Sequence, residues 1–236
     1  MKESKNRSLV EKAYKIIKNK ICDFELYPGQ PISDHILSKE LAMSRTPIRS
    51  ALQKIYDEGL VEINPQGKGY VVTEITDEKI IEVFDARECI EVAALSLAMD
   101  RGIQPSDIEA LNNINNIMED YNRTDKLRFQ FEYDQKFHDF LVALSGNTKL
   151  IKFHSSLFAE LTRMRLLSYL ERSYQKKAYN DHSNIIKYIA ENNKEAAVEA
   201  LRNHIRTSKR DYRDLINNKI SLDAYGMLRF LMQTTQ

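Results

Sequence analysis

The stretch LVEINPQGKGYVVTEI, Leu60 to Ile75, constrains the fold more than any other. It holds two short strand-like runs, Leu60 to Ile63 and Tyr70 to Thr73, joined by a loop containing proline and glycine, which is a hairpin signature. Three helical patterns precede it, at about Ser8 to Asp23, Ser33 to Leu41 and Thr46 to Glu58. Tyr27-Pro28-Gly29 stops the chain after the first, and Gly59 closes the third. Three helices followed by a two-stranded wing is the order of a winged helix-turn-helix.

After Thr76 the pattern is helical to the end. Its breaks fall near Gly102-Pro105, Arg123-Asp125, Gly146-Asn147, Glu171-Ser173 and Asn192-Asn193, which predicts six helices and a seventh from Ser221. The expected fold class is therefore mainly α: a winged helix-turn-helix over 1–75, then an all-α helical bundle over 76–236. Thr76 is the expected N-cap ahead of Asp77 and Glu78, which suit the positive end of a helix dipole.

Composition removes several function classes. A net charge of +1 gives no bulk attraction to nucleic acid or membranes, so any basic surface must be local. The two cysteines, Cys22 and Cys89, form neither a disulfide framework nor a CxxC pair, which fits a reducing compartment. MKESKNRSLVEKAYKIIKN lacks the apolar core of a signal peptide, and the longest apolar runs are too short to span a bilayer. A soluble, cytoplasmic protein is expected.

In the first domain the third helix opens with Ser44-Arg45-Thr46-Pro47-Ile48-Arg49. Ser44 or Thr46 can cap its N–H groups, and proline is tolerated in the first turn, where its missing N–H costs nothing. Arg45 and Arg49 share one face while Ile48, Leu52 and Ile55 face inward. Arginines at a recognition-helix N-terminus can fork onto guanine, and a helix N-terminus also attracts phosphate. The wing tip, Gln66-Gly67-Lys68-Gly69, offers a cation on flexible glycines for the minor groove or a phosphate. The plainer alternative is a small helical domain with a solvated arginine pair.

In the second domain FEYDQKFHDFL sets Asp134 four residues before His138, so both lie on one helix face with Leu127, Phe131 and Leu141. His182 shares a stripe with Ala178, Ile185 and Ile189; His204 shares one with Ala197, Leu201 and Ser208. Burying one such group unpaired is costly. Asp134 and His138 alone could be a hydrogen-bonded pair. Three helices each sending an imidazole or carboxylate inward point instead to a shared divalent cation, and that donor set suits zinc or nickel. His154 also lies on an apolar stripe, with Leu150, Leu157 and Leu161, and spacing does not exclude it. His35 is expected to be exposed or capping.

The segment LSKELAMSRTPIRSALQKIYDEGLVEINPQGKGYVV resembles the DNA-binding domain of the GntR family of bacterial transcription regulators, over Ala13 to Val72. The resemblance implies that Ser44, Arg45, Thr46 and Arg49, with Lys68 and Gly69 of the wing, bind DNA. One departure stands at Ala42, where the family has glycine. If that turn needs a positive φ, alanine is strained by about 1 kcal/mol, so an adjusted turn is expected.

From about Thr76 to Asp214 the chain resembles the all-helical FCD effector domain of the same family, at DARECIEVAA, YDQKFHDFLVALSGN, DHSNII and ALRNHI. That resemblance implies a metal held by Asp134, His138, His182 and His204, leaving His154 out. It also implies a small carboxylate effector docking over the metal with the help of Arg87, which on spacing alone could be a solvated arginine paired with Glu91. Arg163 and Arg165 are further inward candidates, Arg163 the better one. The implied function is a homodimeric, metabolite-responsive DNA-binding regulator, in this family most often a repressor, and not an enzyme. Two alternatives stand beside it: a metal-dependent hydrolase with an accessory DNA-binding-like domain, which would lack HExxH here, and a regulator that senses the metal itself.

Overall fold

The structure, a computed structural model, describes residues 2–124, 127–167 and 173–219. The chain divides into two compact units, Met1–Ile75 and Thr76–Gln236.

The first unit holds α1 (Lys2–Cys22), β1 (Pro31–Ile32), α2 (Asp34–Glu40), α3 (Arg45–Asp57), β2 (Val61–Ile63) and β3 (Tyr70–Val72). Its core is mostly aliphatic: Ile17 and Ile21 of α1, Ile48, Leu52 and Ile55 of α3, Leu60 and Val72 are all buried, together with Phe24. β2 and β3 pair antiparallel, with Val61 opposite Val72 and Ile63 opposite Tyr70. β1 adds a third strand that the sequence reading missed, pairing Pro31 with Val71. Two residues leave no alternation to read, and proline at a sheet edge loses no ladder bond it needs. The order β1-β3-β2 puts it at that edge.

The α2–α3 turn departs from expectation. Ala42 keeps a left-handed conformation, φ 51°, so the turn is retained rather than adjusted. Bonds across it oppose the strain: Met43 N donates to Ser38 O (3.0 Å), and Ser38 Oγ donates to Met43 O (2.6 Å).

The second unit is all α: α4 (Asp77–Arg101), α5 (Pro105–Arg123), α6 (Leu127–Leu144), α7 (Thr148–Ser156), α8 (Phe158–Leu167), α9 (Ser173–Ala190) and α10 (Lys194–Lys219). Thr76 Oγ1 caps α4 by accepting from Lys79 N at 3.3 Å. Asp77 then takes a two-pronged bond from Arg213, which ties α10 to the start of α4. Helix neighbours run α4–α6–α5–α9–α10 and back to α4, a ring whose inward faces meet in one core. No described helix is long and apolar enough to cross a membrane.

One expected helix is two. The pattern from Asn147 onward breaks at Leu157, between α7 and α8. Ser155 Oγ and Ser156 Oγ donate to the carbonyls of Lys152 and Phe153, at 2.8 and 2.7 Å. Serine hydroxyls that bond backward in this way compete with the helical ladder. The helix expected from Ser221 lies outside the described residues.

Candidate metal centre and nucleic-acid face

Three of the ring's helices converge on imidazoles. α6 supplies His138, α9 His182 and α10 His204, all buried among Phe137, Leu141, Ile185, Ile189 and Leu201. One ring nitrogen from each can be chosen so that all three lie within 4.8 Å of one another. Phe137 stacks on His182 at 3.9 Å between centroids, which fixes that ring's plane. Asp134, one turn before His138, places Oδ1 3.6 Å from His182 Nε2 and 3.9 Å from His138 Nε2. The structure thus brings three of the four sequence-predicted ligands together, and sets Asp134 beside two of them, His138 and His182. Ligands about 2.1 Å from one ion stand at most about 4.2 Å apart, so only slight closure would let the three imidazoles share it.

The surroundings fit a cation. Glu91 Oε2 lies 2.7 Å from His138 Nδ1, and Asp181 Oδ2 lies 3.1 Å from His204 Nδ1. A carboxylate on Nδ1 turns Nε2 toward the centre, as around metal-bound histidines. His138 Nε2 is buried without a hydrogen-bond partner among the described residues. Burial, helped by the Arg87 charge, pushes the His138 imidazole well below its ordinary pKa, so it is held neutral as a ligand must be.

His154 plays a different part. Its Nε2 lies 3.0 Å from Glu91 Oε1 and its Nδ1 3.1 Å from Asp139 Oδ1, so carboxylates occupy both nitrogens. Burial alone would lower its pKa, but those two partners outweigh burial and raise it.

Glu91 joins these groups. Arg87 Nε donates to Glu91 Oε1 at 2.6 Å, and both side chains are buried. Burial pushes the Glu91 carboxyl up, but Arg87, His138 and His154 prevail and hold it well below the usual range. The Arg87–Glu91 pair therefore exists, but it is not solvated. Arg87 Nη2 has no hydrogen-bond partner among the described residues. Arg163, on α8, is buried as well; the Arg165 side chain lies outside the described ones.

Sequence reasoning named Glu91 only as a solvated partner for Arg87, and it missed Asp181. Phe84, Arg87, Glu91, Ala94 and Ala98 share a helical stripe, which marks Glu91 as inward-facing. Asp181 leaves no such mark, because it faces His204 across a helix–helix boundary.

In the first unit Ser44, Arg45, Thr46, Arg49, Lys68 and Gly69 are all exposed. Ser44 is the N-cap of α3 but makes no side-chain cap bond. Arg45 Nη2 and Arg49 Nε both reach Asp34, at 2.9 and 2.6 Å, so one carboxylate gathers the two guanidiniums at the start of α3. Tyr70 Oη donates to Gln53 Oε1 at 3.1 Å, tying the wing to α3.

Residues 9–72 match the family model described as bacterial regulatory proteins, gntR family, and residues 82–207 match the FCD domain. The HTH-type transcriptional repressor GlaR of Escherichia coli (strain K12) is 25% identical over 201 residues, 82% of this chain and 91% of GlaR. The E. coli McbR/YncC structure shares the fold, with a TM-score of 0.74 and 16% identity over 89% of this chain and 99% of that one. A metal-free FCD domain of TM0439 aligns with a TM-score of 0.51 and 22% identity, over 61% of this chain and 98% of that one.

Proposed function

The chain belongs to the GntR family of bacterial regulatory proteins and carries an FCD domain, so it is a transcription regulator and not an enzyme; from that premise we propose that it is a homodimeric, cytoplasmic repressor whose operator affinity responds to a small carboxylate bound at a metal site. The operator is read by Arg45 and Arg49, with Ser44 and Thr46 at the same helix start and Lys68-Gly69 at the wing. The metal, zinc or nickel by its imidazole-rich donor set, is held by Asp134, His138, His182 and His204.

One observation carries the effector reading. Arg87 Nη2 and His138 Nε2 are both buried without hydrogen-bond partners among the described residues, and both side chains are anchored through another nitrogen to Glu91. A buried polar atom left in this way is costly. A carboxylate ligand with one oxygen on the cation and one on Arg87 would satisfy both demands. Arg163, buried on α8, is a second cation for the same anion. When bound, the metal supplies fixed positive charge for the carboxylate. Glu91 and Asp181 orient His138 and His204, and burial keeps His138 unprotonated.

A ligand shifts a two-state equilibrium only through its differential affinity for the two states. Segment 72–77 would pass that bias to the DNA-reading units, altering their spacing over two half-sites about one helical turn apart.

The test is a thermal-shift panel of small mono-, di- and tricarboxylates on metal-loaded and chelator-stripped protein, followed by DNA binding. A hit that needs both metal and Arg87 supports the reading. Release from DNA by metal alone, with no carboxylate effect, would make the ion the signal.

A further inference from the structure

Of the three triad histidines, His138 and His182 have no exposed surface, whereas His204 is 5% exposed. That sliver opens into a groove of about 440 Å3 between α9 and α10, lined by Asp181, Asn184, Tyr188, Ala200, His204 and Thr207 among others. His204 therefore borders both the buried triad and solvent.

We infer that this groove is the path by which a divalent cation enters and leaves the triad, with His204 as the swinging ligand and Asp181 as its latch. The inference rests on the metal reading of the triad. The groove is large enough: a cation with six waters, at about 30 Å3 per water, needs roughly 180 Å3. Its inner end carries the right chemistry. Asp181 Oδ2 holds His204 Nδ1 at 3.1 Å from a side chain that is 29% exposed, so water can replace that bond. Freed of the latch, the ring can turn Nε2 toward the groove, meet the cation as it sheds water, and carry it inward.

The other two histidines cannot serve this way. Phe137 stacks on His182, and His138 is pinned to Glu91 with both partners fully buried. Three of the residues that α10 gives to the groove wall, Ala196, Ala200 and Thr207, are small and help leave the space open, beside the larger Glu199 and Asn203. Lys177 lines the outer end but is drawn toward Asp211, 3.3 Å away.

Stopped-flow uptake of Zn2+ by metal-free full-length protein, and its release to a chromogenic chelator, test the path. Ala200→Trp fills the groove without replacing a ligand. It should slow uptake and release alike, by about tenfold or more, and leave the equilibrium affinity within about twofold of wild type. Asn184→Arg, on an exposed position, sets a cation at the mouth. It should slow uptake by about tenfold at low salt, with the deficit shrinking as salt rises. Wild-type uptake rates in a folded Ala200→Trp overturn the path; if that variant does not fold, wild-type rates in Asn184→Arg overturn it instead. Wild-type protein that takes up no Zn2+ at all would remove the metal site itself, a separate result from a site that fills by another route.

Discussion

Glu91 Oε2 lies 2.7 Å from His138 Nδ1, with no exposed surface on either side chain. The other oxygen of the same carboxylate takes Arg87 Nε at 2.6 Å and faces His154 Nε2 at 3.0 Å. The histidine proposed as a metal ligand and the arginine proposed for the effector are thus positioned by one group. Glu91→Gln keeps the shape but loses the charge and one acceptor. It should weaken metal binding by about 10- to 100-fold, the usual cost of removing a partner behind a ligating histidine. Glu91→Ala also strands the buried Arg87 charge, which should cost about 3–5 kcal/mol of stability. Competitive metal titration and denaturant melts read the two effects separately. Wild-type metal affinity in a folded Glu91→Gln would remove Glu91 from this role.

Arg45 and Arg49 stand at least half exposed, and their Asp34 partner is itself accessible, so they carry little of the fold. Arg45→Ala and Arg49→Ala should each weaken specific DNA binding by about 1–3 kcal/mol, with the circular dichroism spectrum unchanged. Operator affinity can be followed by fluorescence anisotropy on a duplex selected from a random pool by the wild-type protein. Undiminished affinity in either variant would dismiss that arginine as a DNA contact.

Much of this arrangement is legible in the sequence because it is local. The Pro/Gly loop between two apolar runs announces the wing, and Thr76 ahead of two acids announces α4. Apolar stripes at helical spacing turn His138, His182 and His204 inward. What escapes depends on pairing between elements. Asp34 meets Arg45 and Arg49 only because α2 crosses near the start of α3, and Asp181 meets His204 only across α9 and α10. Ser155 and Ser156 end α7 through bonds to their own backbone, which apolar periodicity does not register. Glu91 lies between these cases: its stripe marks it as inward-facing, but its two imidazole partners come from α6 and α7.

A two-fold operator asks for a two-fold protein. Sedimentation should therefore give a homodimer at micromolar concentration. A monomer, with and without the selected duplex, would exclude the two-headed mode of reading.

The pH dependence of the metal-free protein should carry two signatures of opposite sign. His138 is held neutral, so below pH about 6.5 the unfolded chain takes up a proton that the folded chain refuses. Stability from His138 is therefore lost as pH falls, and Glu91, its pKa also depressed, adds a loss of the same sign below about 4.5. His154 is raised by Asp139 and Glu91 against burial, so its contribution is present below about 6.5 and lost as pH rises through the raised value. His154→Asn should flatten the alkaline decline, and His138→Asn the decline from pH 6.5 toward 5. Denaturant melts from pH 5 to 8 on chelator-treated protein read both slopes. An unaltered alkaline slope in His154→Asn would contradict the assignment.

The four proposed ligands give the sharpest test, because a buried histidine outside the set sits beside them as an internal control. His138, His182 and His204 converge within 4.8 Å, and Asp134 Oδ1 lies 3.6 Å from His182 Nε2. His154 is as buried as the three histidines, but its two nitrogens are taken by Glu91 and Asp139. Single alanine substitutions at Asp134, His138, His182 and His204 should each lower metal content and melting temperature. His154→Ala should keep metal content near wild type, although Glu91 loses a partner. Ligating imidazoles must be neutral, so retention should also fall as pH drops through about 6. Elemental analysis of the five purified variants decides the matter. Full occupancy in His182→Ala or His204→Ala, together with loss in His154→Ala, would transfer the site to the Glu91–His154 side of the core.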